Sequence, residues 1–188
     1  MKTTALPEKI SGERLEALVT EAVDRFFTTM VGTDVLFMNS DVVEEKAAAQ
    51  RDLEADEPPP AEELPIKTKG LVVAAVGFCG ELDGVAYLYF TETLAENVTC
   101  GFLGMEMEDV RGNHEVVNDA LGEVANMTIG TIKNTLSQFG YECRLTVPSI
   151  VRGSNFTIQS ASGVHRQRFQ FKLYQEVLLL DMMFKKTA

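Results

Sequence analysis

Apolar positions along this chain of 188 residues fall into three regimes. From Ser11 to Gly32 they recur every three or four residues, at Leu15, Leu18, Val19, Ala22, Phe26 and Met30, which predicts an amphipathic helix with Ser11 as its N-cap. From Asn39 to Pro65 the periodicity lapses. Acids, Ala47–Ala49 and Pro58–Pro60, with few β-branched and no aromatic residues, bury too little to offset the entropy of ordering. A mobile acidic and proline-rich insertion is expected at about 39–66, as a solvated spacer or a partner-docking tail. From Lys69 onward strands take over: LVVAAVGFCG and VAYLYF, parted by a turn at Glu81–Gly84, predict a β-hairpin. Thr93 followed by Glu96 reads as a capping box for a helix through Leu94, Val98 and Phe102 that stops near Gly104. After a short acidic loop, Glu106–Arg111, periodicity from Asn113 to Phe139 predicts the longest helix, closed by Gly140. The tail returns to β at Glu142–Val147, around Asn155–Gln159, and in RFQFKLY and VLLLDMMF. Strands and helices mixed in this way predict an α+β fold, one domain over 1–188, with a largely antiparallel sheet packed against long helices.

Charge narrows the partners. The net charge of −11 repels phosphate backbones and anionic headgroups, so neither nucleic acid nor a membrane surface is an expected partner. Most of the excess is local: Ser40 to Ile66 holds nine acids against two bases. Three cysteines, Cys79, Cys100 and Cys143, lack CxxC spacing and suggest neither a disulfide framework nor zinc. No apolar leader or membrane-length run is visible, so a cytoplasmic chain is expected. His114 and His165 are far apart in the sequence and are read as surface or capping residues, with no metal site and no histidine triad.

The long helix carries the candidate chemistry. At about 100° per residue, Val117, Leu121, Val124, Thr128 and Ile132 share one face, which should meet the core. The opposite strip holds Asp119, Glu123, Asn126, Gly130 and Lys133, with Gly122 beside it. Two glycines there cost helix stability, about 1 kcal/mol each, and invite two explanations: close approach of another backbone, or packing under a neighbouring loop. A carboxylate and a carboxamide one turn apart enter one cleft together, the acid seeking a lysine and the amide orienting a water without deprotonating it. That pairing suits phosphoryl transfer, which needs positioning more than covalent help. E-x-x-N is common, however, and a merely solvated polar face fits it too.

The run NDALGEVANMTIG, together with Pro148 twenty-two positions after Asn126 in VPSIVRGSNF, resembles the CheC/CheX/FliY family of response-regulator phosphatases, its CheX branch most. GFCGELDGVAYLYFTETLA and FLGMEMED are also similar, and the likeness covers about Leu71 to Phe184 and the first helix. The resemblance implies a phosphatase for the aspartyl phosphate of a CheY-like receiver domain in two-component, chemotaxis-type signalling. Glu123 would pair with the receiver lysine and Asn126 would hold the attacking water. Mg2+ would belong to the receiver, and the chain would need no cofactor or metal of its own. Asp119, Gly122, Gly130 and Lys133 would meet the partner.

The chain also departs from the family pattern. Members with two motif copies carry one on the first helix, where this chain has Glu21-Ala-Val-Asp24; an aspartate there would turn a negative charge towards a phosphoryl group, so one active strip is expected. The resemblance also implies a homodimer joined through sheet edges, with the strands near the C-terminus as the candidate edges. A non-catalytic binding or scaffold module for receivers or motor-switch proteins, and a small-molecule or structural domain with a solvated helix, remain as other readings.

Overall fold

A computed structural model describes residues 10–43, 66, 70–154, 158 and 163–187. The elements, in chain order, are α1 (Gly12–Phe26), a π-helical continuation (Phe27–Val31), β1 (Leu36–Val42), β2 (Leu71–Gly80), β3 (Leu82–Thr91), α2 (Glu92–Leu103), α3 (Met107–Val110), α4 (His114–Ser137), β4 (Cys143–Leu145), β5 (Ser149–Gly153), β6 (His165–Leu173) and β7 (Glu176–Lys186). All seven strands form one sheet in the order β1-β6-β7-β3-β2-β4, with β5 also paired to β2. Every pairing is antiparallel. This is the expected α+β architecture, but the strands near the C-terminus are not its edges, because β6 lies between β1 and β7 and β7 between β6 and β3.

The helices cover one side of the sheet. Val72, Ala74, Val76, Ala86, Leu88, Phe90, Phe169, Phe171, Leu178 and Leu180 alternate onto that side and join Leu15, Val19, Phe27, Leu94, Leu121, Val124 and Ile132 in one core cluster. The opposite side holds a smaller cluster of Leu71, Val73, Tyr89 and Leu179. There Asp181 and Arg166 are also buried, at 0% and 2% exposure.

Several local expectations need correction. Ser11 does cap α1, accepting from the Arg14 N–H, but Met30 is not on its core face. A π turn adds a residue to the helix and turns the face, so Phe27 and Val31 are buried while Met30 is exposed. Asn39–Val42 are not the start of an insertion: they belong to β1, an edge strand paired with β6 through a register shift between Phe37 and Asn39. Residues 44–65 lie outside the described residues. The second helix starts one turn-residue pair earlier than the Thr93 capping box implies, since Thr91 Oγ1 accepts from the Leu94 N–H at 3.0 Å. Glu96 instead accepts from the Gly112 N–H at 2.9 Å, tying α2 to the turn before α4. The acidic loop contains the single turn α3. A strand not expected from the sequence, β5, occupies Ser149–Gly153, while of the strand expected around Asn155–Gln159 residues 155–157 and 159 lie outside the described residues. His165 is not a surface residue: it is buried, its ring 5.1 Å from that of Phe184.

Candidate functional site

The site begins with the reason α4 is a helix. Asn113 caps it by accepting from the Val116 N–H, and Val117, Leu121, Val124, Thr128, Ile132 and Leu136 form the buried stripe at helical spacing. Thr128 is fully buried there, and its hydroxyl is satisfied by donating to the Val124 carbonyl at 2.7 Å. With that stripe held by the core, the opposite strip has one direction left to face.

That strip is where the sequence places it. Asp119 and Glu123 are exposed, and Asn126, Gly122, Gly130 and Lys133 are half-buried. The Lys133 ammonium donates to Asn134 Oδ1 at 3.0 Å, so it is tethered to its own helix. One wall of the strip comes from β4, β5 and the three residues between them. A Cβ built on Gly122 would lie 4.0 Å from the Pro148 Cβ, and one on Gly130 would lie 3.8 Å from Leu145 Cδ1. Both are ordinary van der Waals separations, so the chain's own packing does not require glycine at either position. Of the two explanations for these glycines, packing under the neighbouring loop is removed. Thr146 braces the wall, its N–H donating to the Gly77 carbonyl and its Oγ1 accepting from the Gly77 N–H, both at 2.9 Å.

Chemically the strip offers an exposed carboxylate, a carboxamide one turn on, and bare backbone beside them. Asp119 and Glu123 stand exposed on a helix face walled on one side by Leu145 and Pro148, which suits docking against another protein's cleft better than enclosing a small molecule. One groove, of about 470 Å³, lies over α1 and is lined by Glu16, Ala17, Thr20, Glu21, Asp24, Val35 and Phe37. Glu21 and Asp24 therefore sit together on α1 but are joined by further carboxylate, a poor setting for a phosphoryl group. Among the described residues no group of three or more His, Cys, Asp or Glu side chains is placed to hold a metal ion. No described helix is long and apolar enough to cross a membrane. Burial raises the Cys143 and Cys100 thiols above their ordinary range, which leaves little thiolate for nucleophilic work.

Sequence reasoning missed the residues that flank the strip. Arg152 on β5 reaches both Asn118 of α4 and Glu92 of α2. The only available signal was an arginine at a strand position whose alternation calls for an inward side chain.

The comparisons with known proteins converge. A family model described as "Chemotaxis phosphatase CheX" matches residues 72–172. A CheY-P phosphatase CheX from Thermotoga maritima is 30% identical over 90 residues, covering 47% of this chain and 56% of that protein. The chain thus matches little more than half the length of that relative. Among solved structures, chemotaxis protein CheX from Desulfovibrio desulfuricans superposes with a TM-score of 0.69 at 21% identity, covering 91% of this chain and 99% of the other. A chain of a CheX–CheY–BeF3–Mg2+ complex from Borrelia burgdorferi superposes with a TM-score of 0.66 at 16% identity, covering 90% of this chain and 97% of that one. At those identities the superpositions speak for the fold.

Proposed function

The chain belongs to the CheX family of chemotaxis phosphatases, and from that membership we propose that it accelerates hydrolysis of the aspartyl phosphate on a CheY-like receiver domain. The observation that carries the reading is the strip itself: Glu123 and Asn126 share one solvent-facing sector of α4, beside glycines that the chain's own packing does not demand.

In this reading α4 enters the receiver's phosphorylation cleft. The Glu123 carboxylate pairs with the lysine beside the phosphoaspartate and fixes register. The Asn126 carboxamide accepts from, and so orients, a water in line with phosphorus. A water oxygen–phosphorus bond forms as the phosphorus–carboxylate bond breaks, releasing inorganic phosphate and the free aspartate. The carboxamide is no base, and none is needed, because acyl-phosphate hydrolysis gains chiefly from positioning and charge stabilisation. The Mg2+ is the receiver's. Asp119 and Lys133 lie where the rim of the partner would pass, and Gly122 and Gly130 let its backbone close on the helix.

The test is phosphate release from a panel of phosphorylated receiver domains, each with and without the chain. Accelerated loss from at least one receiver supports the reading. Binding with unchanged phosphate lifetime would convert the chain into a scaffold, and neither binding nor acceleration would leave a solvated helix face.

The glycines make a separate prediction. Gly122→Ala should raise folding stability by about 0.5–1 kcal/mol, the usual gain in a helix interior where space allows. The same methyl should weaken receiver engagement severalfold. Thermal melting and the half-saturating receiver concentration should therefore move in opposite senses; if both improve, the close approach at Gly122 is wrong.

A further inference from the structure

Arg152 stands where a strand should place an apolar side chain. Exposure alternates along β5, with Ser149, Val151 and Gly153 out and Ile150 and Arg152 in. Ile150 and Arg152 lie opposite Ala74 and Val72 of β2, both in the helix-side core. The guanidinium is spread over two other elements. Its Nε donates to Asn118 Oδ1 of α4 at 2.9 Å, and its Nη1 meets a carboxylate oxygen of Glu92, the first residue of α2, at 2.5 Å. The side chain is 20% exposed and its Nη2 is buried with no hydrogen-bond partner.

Stability is a weak reason for such an arrangement. A half-exposed ion pair contributes little, and an orphaned buried donor costs more than a neutral contact would gain. What the arrangement does supply is geometry: three elements held by one planar, forked group, directly beside Asp119 and the strip. The same β5 follows Pro148, the residue that faces Gly122, so the link sets the distance between the strip and its wall.

We infer that Arg152, with Asn118 and Glu92, is a positioning group that holds α4 in register with the β4–β5 wall so that Asn126 is aimed correctly in the complex with the receiver. This rests on the phosphatase reading above. Arg152 would act through α4 and β5, which it links, and not on the water or the phosphoryl group, so its removal should lower the maximal rate while leaving the receiver's half-saturating concentration nearly unchanged. Small displacements of a positioning group are enough for large rate losses.

The experiment uses the full chain and radiolabelled phospho-receiver. Arg152→Met keeps the aliphatic stem and removes the unpartnered Nη2 donor, so it should melt no lower than the parent chain, yet its maximal rate should fall about tenfold. Asn118→Ala should show the same rate loss, and the double variant should be no slower than either, because all three break one link. Arg152→Lys retains the charge opposite Glu92 but not the fork, and should recover only part of the rate. Full activity in Arg152→Met, or a rate loss that merely follows a lower melting temperature, overturns the inference. A parent chain that leaves every receiver's phosphate lifetime unchanged overturns the phosphatase reading and this inference with it, and is recognised before any variant is made.

Discussion

Asn126→Ala is expected to remove about 10²-fold or more of the acceleration of receiver dephosphorylation while leaving receiver binding largely intact. The side chain is half-buried on an exposed helix strip. Its loss therefore creates no cavity in the core, and the fold should be unaffected. In the proposed mechanism, what disappears is the group that holds a water against phosphorus. Asn126→Asp should be no better than alanine, because a carboxylate there repels the phosphoryl oxygens, the same objection that applies to Asp24 on α1. Glu123→Ala should fail differently. Truncating one partner of an interfacial charge pair weakens binding by ~2 kcal/mol, about thirtyfold in half-saturating receiver concentration, with the larger loss at low salt. Measuring maximal rate and half-saturation for both variants separates the roles. An Asn126→Ala chain that still accelerates phosphate loss at full rate would remove the water-orienting role from this residue.

The readability of these features in the sequence follows from how local their causes are. The α4 strip was legible because a 3.6-residue period with one apolar stripe fixes what remains on the other side, whatever the rest of the chain does. The β2–β3 hairpin and the β6 and β7 strands were legible for the same reason, as apolar runs broken by turn residues. β1 was not. Its sequence, LFMNSDV, carries three polar residues, it lies at the sheet edge with a register shift, and pairing with β6 more than a hundred residues away is what makes it a strand. Thr91 and Thr93 both satisfy the chemistry of an N-cap, and the choice between them was made by where β3 ends, a tertiary fact. The π turn after Phe26 left no mark in a pattern that continued to look helical through Met30. Within the site, Glu123 and Asn126 follow from helix spacing, but the wall of Leu145 and Pro148 and the Arg152 link depend on β2 carrying β4 and β5 past α4. No window of sequence contains that relation.

Asp181→Ala should be the most damaging single change to the fold, by about 3–5 kcal/mol, which for a chain of this size lowers the melting temperature by roughly 6–20 °C. The carboxylate is fully buried on the face of the sheet away from the helices. Arg166 grips it with Nε at 3.0 and 3.1 Å from its two oxygens and Nη2 at 2.6 Å from Oδ2, and Arg168 Nε approaches the same oxygen at 3.5 Å. Alanine leaves two desolvated guanidinium groups without the carboxylate they share, at the β6–β7 pairing near the centre of the sheet. The cost comes from withdrawing a buried counter-charge that two buried guanidiniums share rather than from losing a favourable pair. Replacing Arg166, Arg168 and Asp181 together by apolar residues of similar size should consequently recover most of the loss. This variant is the mirror image of Asn126→Ala. It should reduce activity only in proportion to the unfolded fraction, with an unchanged rate per folded molecule, because α4 and its strip lie on the other side of the sheet. A rate per folded molecule that falls as steeply as stability would show that the buried ion cluster also shapes the strip.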